Sequence, residues 1–267
     1  MDASDLPQPA STISIQGVAL PVIGLGTWDL RGDECRHAVT SALKMGYRHI
    51  DTAEMYGNEA EIGQAMREAG VPRREIFLVS KVWTNHAGAD QVEAACRASL
   101  DRLGCQYLDL YLLHWPVARV PIQETVEALA ELQTKGLIRR FGVSNFSVQQ
   151  LEEAEGASSV RLLCDQVRFN PWHGQTELVA YCGRRDLLLT AYTPVAKGRT
   201  ASDPVLVRIG RKYGKTGTQV ALRWLTQQRN VVAIPKASRP DHLQENLGAF
   251  DFRLNEQEMA EIDQLSS

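Results

Sequence analysis

Long apolar runs are absent: nowhere in the 267 residues do eighteen apolar side chains follow one another, so no segment suits a membrane-spanning helix. The opening stretch MDASDLPQPASTIS is acidic and lacks the apolar core of a secretory leader. These absences predict a soluble, cytoplasmic protein, with residues 1–10 expected to lack order. Cationic excess is missing too. Lysine plus arginine is 29 against 32 acids, a net charge of -3, and no basic cluster offers a footprint for nucleic acid or a membrane surface. A small neutral or anionic metabolite is the expected partner, and a monomer the expected state.

Cysteine is scarce and unpatterned. Cys35, Cys96, Cys105, Cys164 and Cys182 are odd in number and include no C-x-x-C pair, which excludes a disulfide framework or a zinc cluster and predicts reduced structural thiols. The six histidines form no H-x-H or H-E-x-x-H pattern, so a metal-dependent barrel hydrolase has no ligand set and no metal site is expected. GLGTWD lacks the third glycine of G-x-G-x-x-G and is weak evidence for a dinucleotide-binding open sheet.

What the chain does have is a repeated alternation. Short apolar runs rich in branched residues occur at VIGL (22), YRHI (47), IFLVS (76), YLDLYLL (107), LIRRFGV (137), RLLCDQV (161), LLLTAY (187) and VVAIP (231). Amphipathic stretches separate them. DECRHAVTSALKMG and DQVEAACRASLDRLG each open with an acid that can cap a helix and stop at a glycine, Gly46 and Gly104. Eight such units predict parallel strands with right-handed crossovers, closed into a (β/α)8 TIM barrel; a doubly wound open sheet is the alternative. Residues 11–21 predict a hairpin turning at Gln16 and Gly17 that plugs the barrel bottom. In the long last interval SDPVLVRIGRKYG and TGTQVALRWLTQQ read as two helices in place of one. No linker divides the chain, so residues 1–267 read as one domain.

Barrel chemistry lies at the carboxyl ends of the strands. Those ends carry GTWD, DTAEMYGN, KVW, HWP, SNF, Gln166, YTP and PKAS, close to one functional group per strand. Asp51, Tyr56, Lys81 and His114 are then expected to face one another. Lys81 in a barrel interior needs a partner, which Asp51 supplies. An ammonium about 4 Å from the phenol, at an effective dielectric of about 20, favours phenolate by up to roughly 4 kcal/mol. Tyr56 is therefore expected to be an acidified proton donor near neutral pH, with His114 donating to the same substrate oxygen. Taken singly, Asp51 could cap a helix, Lys81 could be solvated and His114 could be structural.

GYRHIDTAEMYGNE, LLHWP, FGVSNF and IPKASR together resemble the aldo-keto reductase family, over about residues 13–265, and look most like its bacterial 2,5-diketo-gluconate and methylglyoxal reductase members. The resemblance implies carbonyl reduction by hydride transfer from NADPH, with Tyr56 as general acid, Asp51 and Lys81 tuning it, and His114 orienting the substrate. It implies that Ser144, Asn145 and Gln166 hold the nicotinamide carboxamide while Tyr192 stacks on the ring. Gly26, Thr27, Trp28 and Asp51 would border the nicotinamide, and Thr193, Pro194, Val195, Ala196 and Lys197 the pyrophosphate. At the adenosine end stand Ile234, Lys236, Ala237, Ser238, Arg239 and His242, with Glu245 and Asn246 reading the adenine amine.

Two departures bear on cofactor choice. Ala237 stands where many relatives carry a hydroxyl, and His242 where they carry an arginine, so measurable NADH use is expected beside NADPH. Trp28, Trp83 and Trp115 are expected to wall the substrate pocket with Tyr56 and His114. The PVARVP loop is short and the chain ends soon after EQEMAEIDQL, so an open cleft and broad specificity for small dicarbonyls, keto-sugars and aromatic aldehydes are expected. A second class within the resemblance is a cofactor-binding regulatory subunit of the same barrel with little turnover.

Overall fold

The computed structural model describes residues 11–266, so the expectation for residues 1–10 lies outside the described residues. Among the described residues ten strands are formed: β1 (Thr12–Ile15), β2 (Val18–Pro21), β3 (Leu25–Gly26), β4 (His49–Asp51), β5 (Phe77–Val82), β6 (Leu108–Leu113), β7 (Ile138–Ser144), β8 (Cys164–Arg168), β9 (Leu188–Tyr192) and β10 (Val231–Ile234). Ten α-helices accompany them: α1 (Gly32–Lys44), α2 (Glu59–Ala69), α3 (Ala89–Leu103), α4 (Ile122–Thr134), α5 (Val148–Gly156), α6 (Thr176–Arg185), α7 (Pro204–Tyr213), α8 (Gly217–Thr226), α9 (Pro240–Leu247) and α10 (Glu256–Asp263).

β3 to β10 pair in parallel with their neighbours in chain order, and the ends of that sheet meet. Ile23 bridges Ala233 in parallel, Gly24 N donates to Ala233 O, Ala233 N to Val22 O, and Gly26 N to Pro235 O at 3.1 Å. The sheet is a barrel, as the alternation predicts, and the open doubly wound sheet is ruled out. The first barrel strand is shorter than VIGL implies: it covers Leu25–Gly26, while Ile23 makes an isolated bridge to Ala233. At Gly26 a Cβ would stand 2.6 Å from the Ile234 carbonyl oxygen, so the seam closes only around a glycine.

Helix punctuation follows the sequence in part. Asp203 caps α7 by accepting from Val205 N and Leu206 N, and capping boxes start α5 at Ser147, α8 at Thr216 and α10 at Asn255. The predicted acid caps of α1 and α3 are corrected. Arg31 and Gly88 occupy those cap positions, and Asp33, Glu34 and Asp90 lie inside the first turns, where they face the positive helix end. Gly104 ends α3 in the left-handed region, φ 65°, as predicted.

The hairpin β1–β2 turns at Gln16 and Gly17, both with positive φ, and sends Ile15 and Leu20 into the barrel interior beside Phe77, Leu110, Leu163 and Val232. The bottom is thereby plugged and the chemistry confined to the top. Buried in that lower interior, His49 packs edge-on against Phe77 at 5.3 Å and leaves both ring nitrogens without a partner. Burial holds its pKa below the usual imidazole value. A second apolar layer lies between barrel and helices, where Leu43, Leu103, Leu129, Leu151 and Leu225 are buried.

Gly26→Ala is expected to cost about 3 kcal/mol or more, because the new methyl meets backbone on the opposite side of the seam. Urea denaturation measures it; a loss below about 1 kcal/mol would show that the seam can yield.

Candidate active site

β4 ends by delivering Asp51 to the top of the barrel, and β5, its parallel neighbour, delivers Lys81 beside it. Lys81 is fully buried, and its Nζ donates to Asp51 Oδ1 at 2.5 Å and to the Thr52 carbonyl at 2.8 Å. The same Nζ is 3.4 Å from the Tyr56 hydroxyl and 5.1 Å from the ring centroid. Burial presses the Lys81 pKa down, but the Asp51 charge, the nearby phenol and the bonds to both raise it above the usual lysine value. The ammonium is therefore fixed in its charged form.

Tyr56 sits in a single 3-10 turn, Glu54–Tyr56, which follows β4 and ends at Gly57 with φ 65°. Arg31 Nη1 donates to the Tyr56 carbonyl at 2.7 Å and fixes the turn from below. One expectation is corrected here. The Tyr56 pKa lies above the usual tyrosine value: burial is the largest cause, and although the Lys81 charge pulls it down, the Asp51 carboxylate pushes it up. Distance alone favoured acidification, but the phenol is 8% exposed and the lysine's charge is largely matched by its own counter-ion. Tyr56 thus stays protonated across the neutral range, with the Lys81 ammonium beside its oxygen.

His114 stands one residue beyond the end of β6, its backbone N–H donating to Val82 O. Burial, with Lys81 adding a like charge, pushes its pKa down to about 3, so the ring is neutral. Its imidazole lies edge-on to Tyr56 at 5.7 Å and to Trp83 at 5.0 Å, while Trp28 lies edge-on to Tyr56 at 5.0 Å. Four rings thus form a continuous wall. Trp28 and Trp115 are 51% and 43% exposed, the two large apolar side chains open to solvent among the described residues.

β7, β8 and β9 contribute a neutral donor–acceptor group. Ser144 Oγ donates to Gln166 O, Gln166 Nε2 to Asp51 Oδ2 at 2.7 Å, and Tyr192 OH to Asn145 Oδ1 at 2.9 Å. Asn145, in the left-handed region at φ 65°, also donates to the His114 carbonyl and Ser144 Oγ. Asp165, one residue from Gln166, is fully buried; its Oδ1 accepts from Phe146 N and its Oδ2 has no partner. Burial raises its pKa well above the carboxylate range.

Thr27 Oγ1 donates to the Asp51 carbonyl, which ties β3 to the pair. After β9, Thr193, Ala196, Lys197 and Gly198 all take positive φ in a tight loop that Pro194 and Val195 complete, with Ala196 N donating to Thr193 O and Gly198 N to Val195 O. At the far end Lys236 and His242 are exposed, Ala237 is buried and Ser238 is half-buried. Arg239 is paired with Asp241 at 2.5 Å, and Glu245 accepts from Thr216 Oγ1 at 2.6 Å. Asn246 is 4% exposed, so Glu245 is the member of that pair with accessible atoms.

Sequence reasoning missed three supporting residues. Arg31 holds the Tyr56 carbonyl; Glu54 accepts from the Trp83 N–H; and buried Asn58 donates to Thr27 O and Leu30 O while accepting from Thr52. Glu54 and Asn58 stand in the same polar stretch as Tyr56, the only signal available. Arg31 carried none.

A carboxylate–ammonium pair thus backs a neutral phenol at the top of a plugged barrel, with a neutral imidazole opposite. Residues 22–267 match the aldo/keto reductase family, and the chain belongs to that family of oxidoreductases acting on aldehydes and ketones. It is 37% identical to aldo-keto reductase family 1 member A1 of Rattus norvegicus, covering 96% of this chain and 89% of the relative. A solved candidate 2,5-diketo-D-gluconic acid reductase B is 40% identical, with a TM-score of 0.93 over 96% of this chain and 91% of its own. A Bombyx mori aldo-keto reductase in complex with NADP is 34% identical, with a TM-score of 0.90 over 97% and 93%.

The donor set fits a nicotinamide nucleotide. Ser144, Asn145 and Gln166 offer a hydroxyl and two amides suited to a carboxamide, and half-buried Tyr192 offers a ring beside them. Among the described residues no carboxylate lies within 4 Å of Lys197 or Lys236.

Asp165→Asn tests the buried acid. Because its folded pKa is raised, the unfolded chain loses the proton first, so wild-type stability falls as pH rises above about 4. The variant is expected to lack that decline, matching wild type near pH 4 and exceeding it at pH 7; parallel curves across urea titrations would contradict the protonated state.

Proposed function

We propose that this chain is an NADPH-dependent reductase of aldehydes and ketones that also accepts NADH, with Tyr56 as its general acid. The observation that carries the reading is the triple junction at Lys81 Nζ, which touches Asp51, Thr52 and the Tyr56 hydroxyl in a site sealed from below. When bound, a reduced nicotinamide supplies the hydride; the chain's own groups manage the oxygen. Tyr56 and His114 converge on one side of the cleft, so a carbonyl oxygen placed between them receives two hydrogen bonds as negative charge grows on it. Transfer of the phenolic proton leaves a phenolate next to Lys81, whose charge offsets burial at that moment alone. Neutral His114 donates without competing as an acid.

Ser144, Asn145 and Gln166 would hold the carboxamide and Tyr192 the ring, while Gly26, Thr27 and Trp28 border it and Ile234 to Arg239 carry the adenosine. Cofactor choice then turns on the far end. Exposed Lys236 supports a 2'-phosphate, but Arg239 is engaged by Asp241 and His242 offers no fork of donors. The exposed tryptophans suit flat or small substrates such as aromatic aldehydes, dicarbonyls and keto-sugars.

Tyr56→Phe is expected to lower kcat about a thousandfold while leaving the NADPH dissociation constant within about threefold, measured by absorbance at the nicotinamide band and by fluorescence quenching. Retained turnover would remove the general-acid assignment. His242→Arg should raise the preference for NADPH over NADH about tenfold, or 1.4 kcal/mol, in kcat/KM ratios. An unchanged ratio would place the 2'-phosphate elsewhere.

A further inference from the structure

The turn that carries Tyr56 and the loop that carries Trp83 follow different strands, yet one side chain fastens them together. Glu54 begins the Tyr56 turn, and its side chain is 10% exposed. Its Oε1 accepts the backbone N–H of Trp83, and His86 Nδ1 lies 3.2 Å from both carboxylate oxygens. β5 ends at Val82, so the Trp83 amide is the first beyond the strand. A charged acceptor makes roughly twice the bond of a neutral one, and here it is shielded from water.

The consequence lies in the ring wall. Trp83 touches one edge of His114 at 5.0 Å, and Tyr56, two residues past Glu54, faces the same imidazole at 5.7 Å. The Glu54 carboxylate thus sets the distance between the phenol and the indole across the space a substrate must enter. With Oε1 accepting from the Trp83 amide and His86 Nδ1 beside both oxygens, it is placed to hold geometry rather than to move protons.

We propose that Glu54 is a positioning residue that locks the Trp83 wall to the Tyr56 turn and so confers selectivity for carbonyl compounds whose aromatic body reaches Trp83. The inference rests on the proposed role of Tyr56. A two- or three-carbon aldehyde occupies only the gap between Tyr56 and His114, whereas a benzaldehyde extends to the indole and feels its displacement.

The test uses wild type, Glu54→Ala and Glu54→Gln, with 4-nitrobenzaldehyde and methylglyoxal as substrates and hydrogen exchange across residues 83–86 as a readout independent of turnover. Glu54→Ala is expected to lower kcat/KM for 4-nitrobenzaldehyde about tenfold, chiefly through KM, to change methylglyoxal less than about threefold, and to speed exchange at Trp83. Glu54→Gln keeps a neutral acceptor oxygen and should recover both readouts in part, to values between those of Glu54→Ala and wild type. Equal losses on the two aldehydes, or unchanged exchange in Glu54→Ala, would overturn the clamp. If wild type reduces neither aldehyde, the proposed function fails on its own, and exchange alone still decides whether Glu54 holds Trp83.

Discussion

The fixed ammonium of Lys81 is the constraint from which the upper barrel takes its arrangement. A fully buried cation is tolerated only if its hydrogen bonds are met and its charge answered, and Asp51, the Thr52 carbonyl and the Tyr56 hydroxyl meet those demands in a space sealed by the hairpin below. Asp51 is itself held by the Gln166 amide, and the Asp51 carbonyl by Thr27. Strands β3, β4, β5 and β8 are thereby committed to one electrostatic centre. Removing either charge leaves the other stranded, which is why the pair behaves as a unit.

In the proposed general-acid role the phenol depends on the balance of that centre rather than on a lowered resting acidity. A tyrosine acidified toward neutrality would spend part of its time as phenolate and be unable to donate. Burial keeps Tyr56 protonated, and in that proposed role the lysine contributes when charge appears on the ring oxygen. The same logic keeps His114 neutral, since burial and the lysine's charge both oppose its protonation.

Much of the fold was legible because it depends on local pattern. Branched apolar runs marked all eight barrel strands, and Gln16–Gly17 marked the hairpin turn, since positive φ at both positions has a sequence signature. The grouping of Asp51, Tyr56, Lys81 and His114 followed from reading strand ends. What failed to show depends on distances no sequence displays. The Tyr56 pKa direction required knowing how deeply the phenol is buried and that Asp51 cancels much of Lys81. The inward turn of Asn246, the Arg239–Asp241 pairing and the Arg31 contact to Tyr56 needed coordinates for the same reason. The acid caps of α1 and α3 failed because a helix start accepts acids one or two residues inside as readily as at the cap.

The join between β3 and β10 has one further implication. It unites sequence positions near 25 and near 234, so closing the barrel brings together segments far apart along the chain through only a few hydrogen bonds. Gly26 and Thr27 lie on one bank and Ile234 and Lys236 on the other. Any molecule that rests on both banks binds only the closed barrel, and its affinity then adds to the stability of the whole fold by mass action.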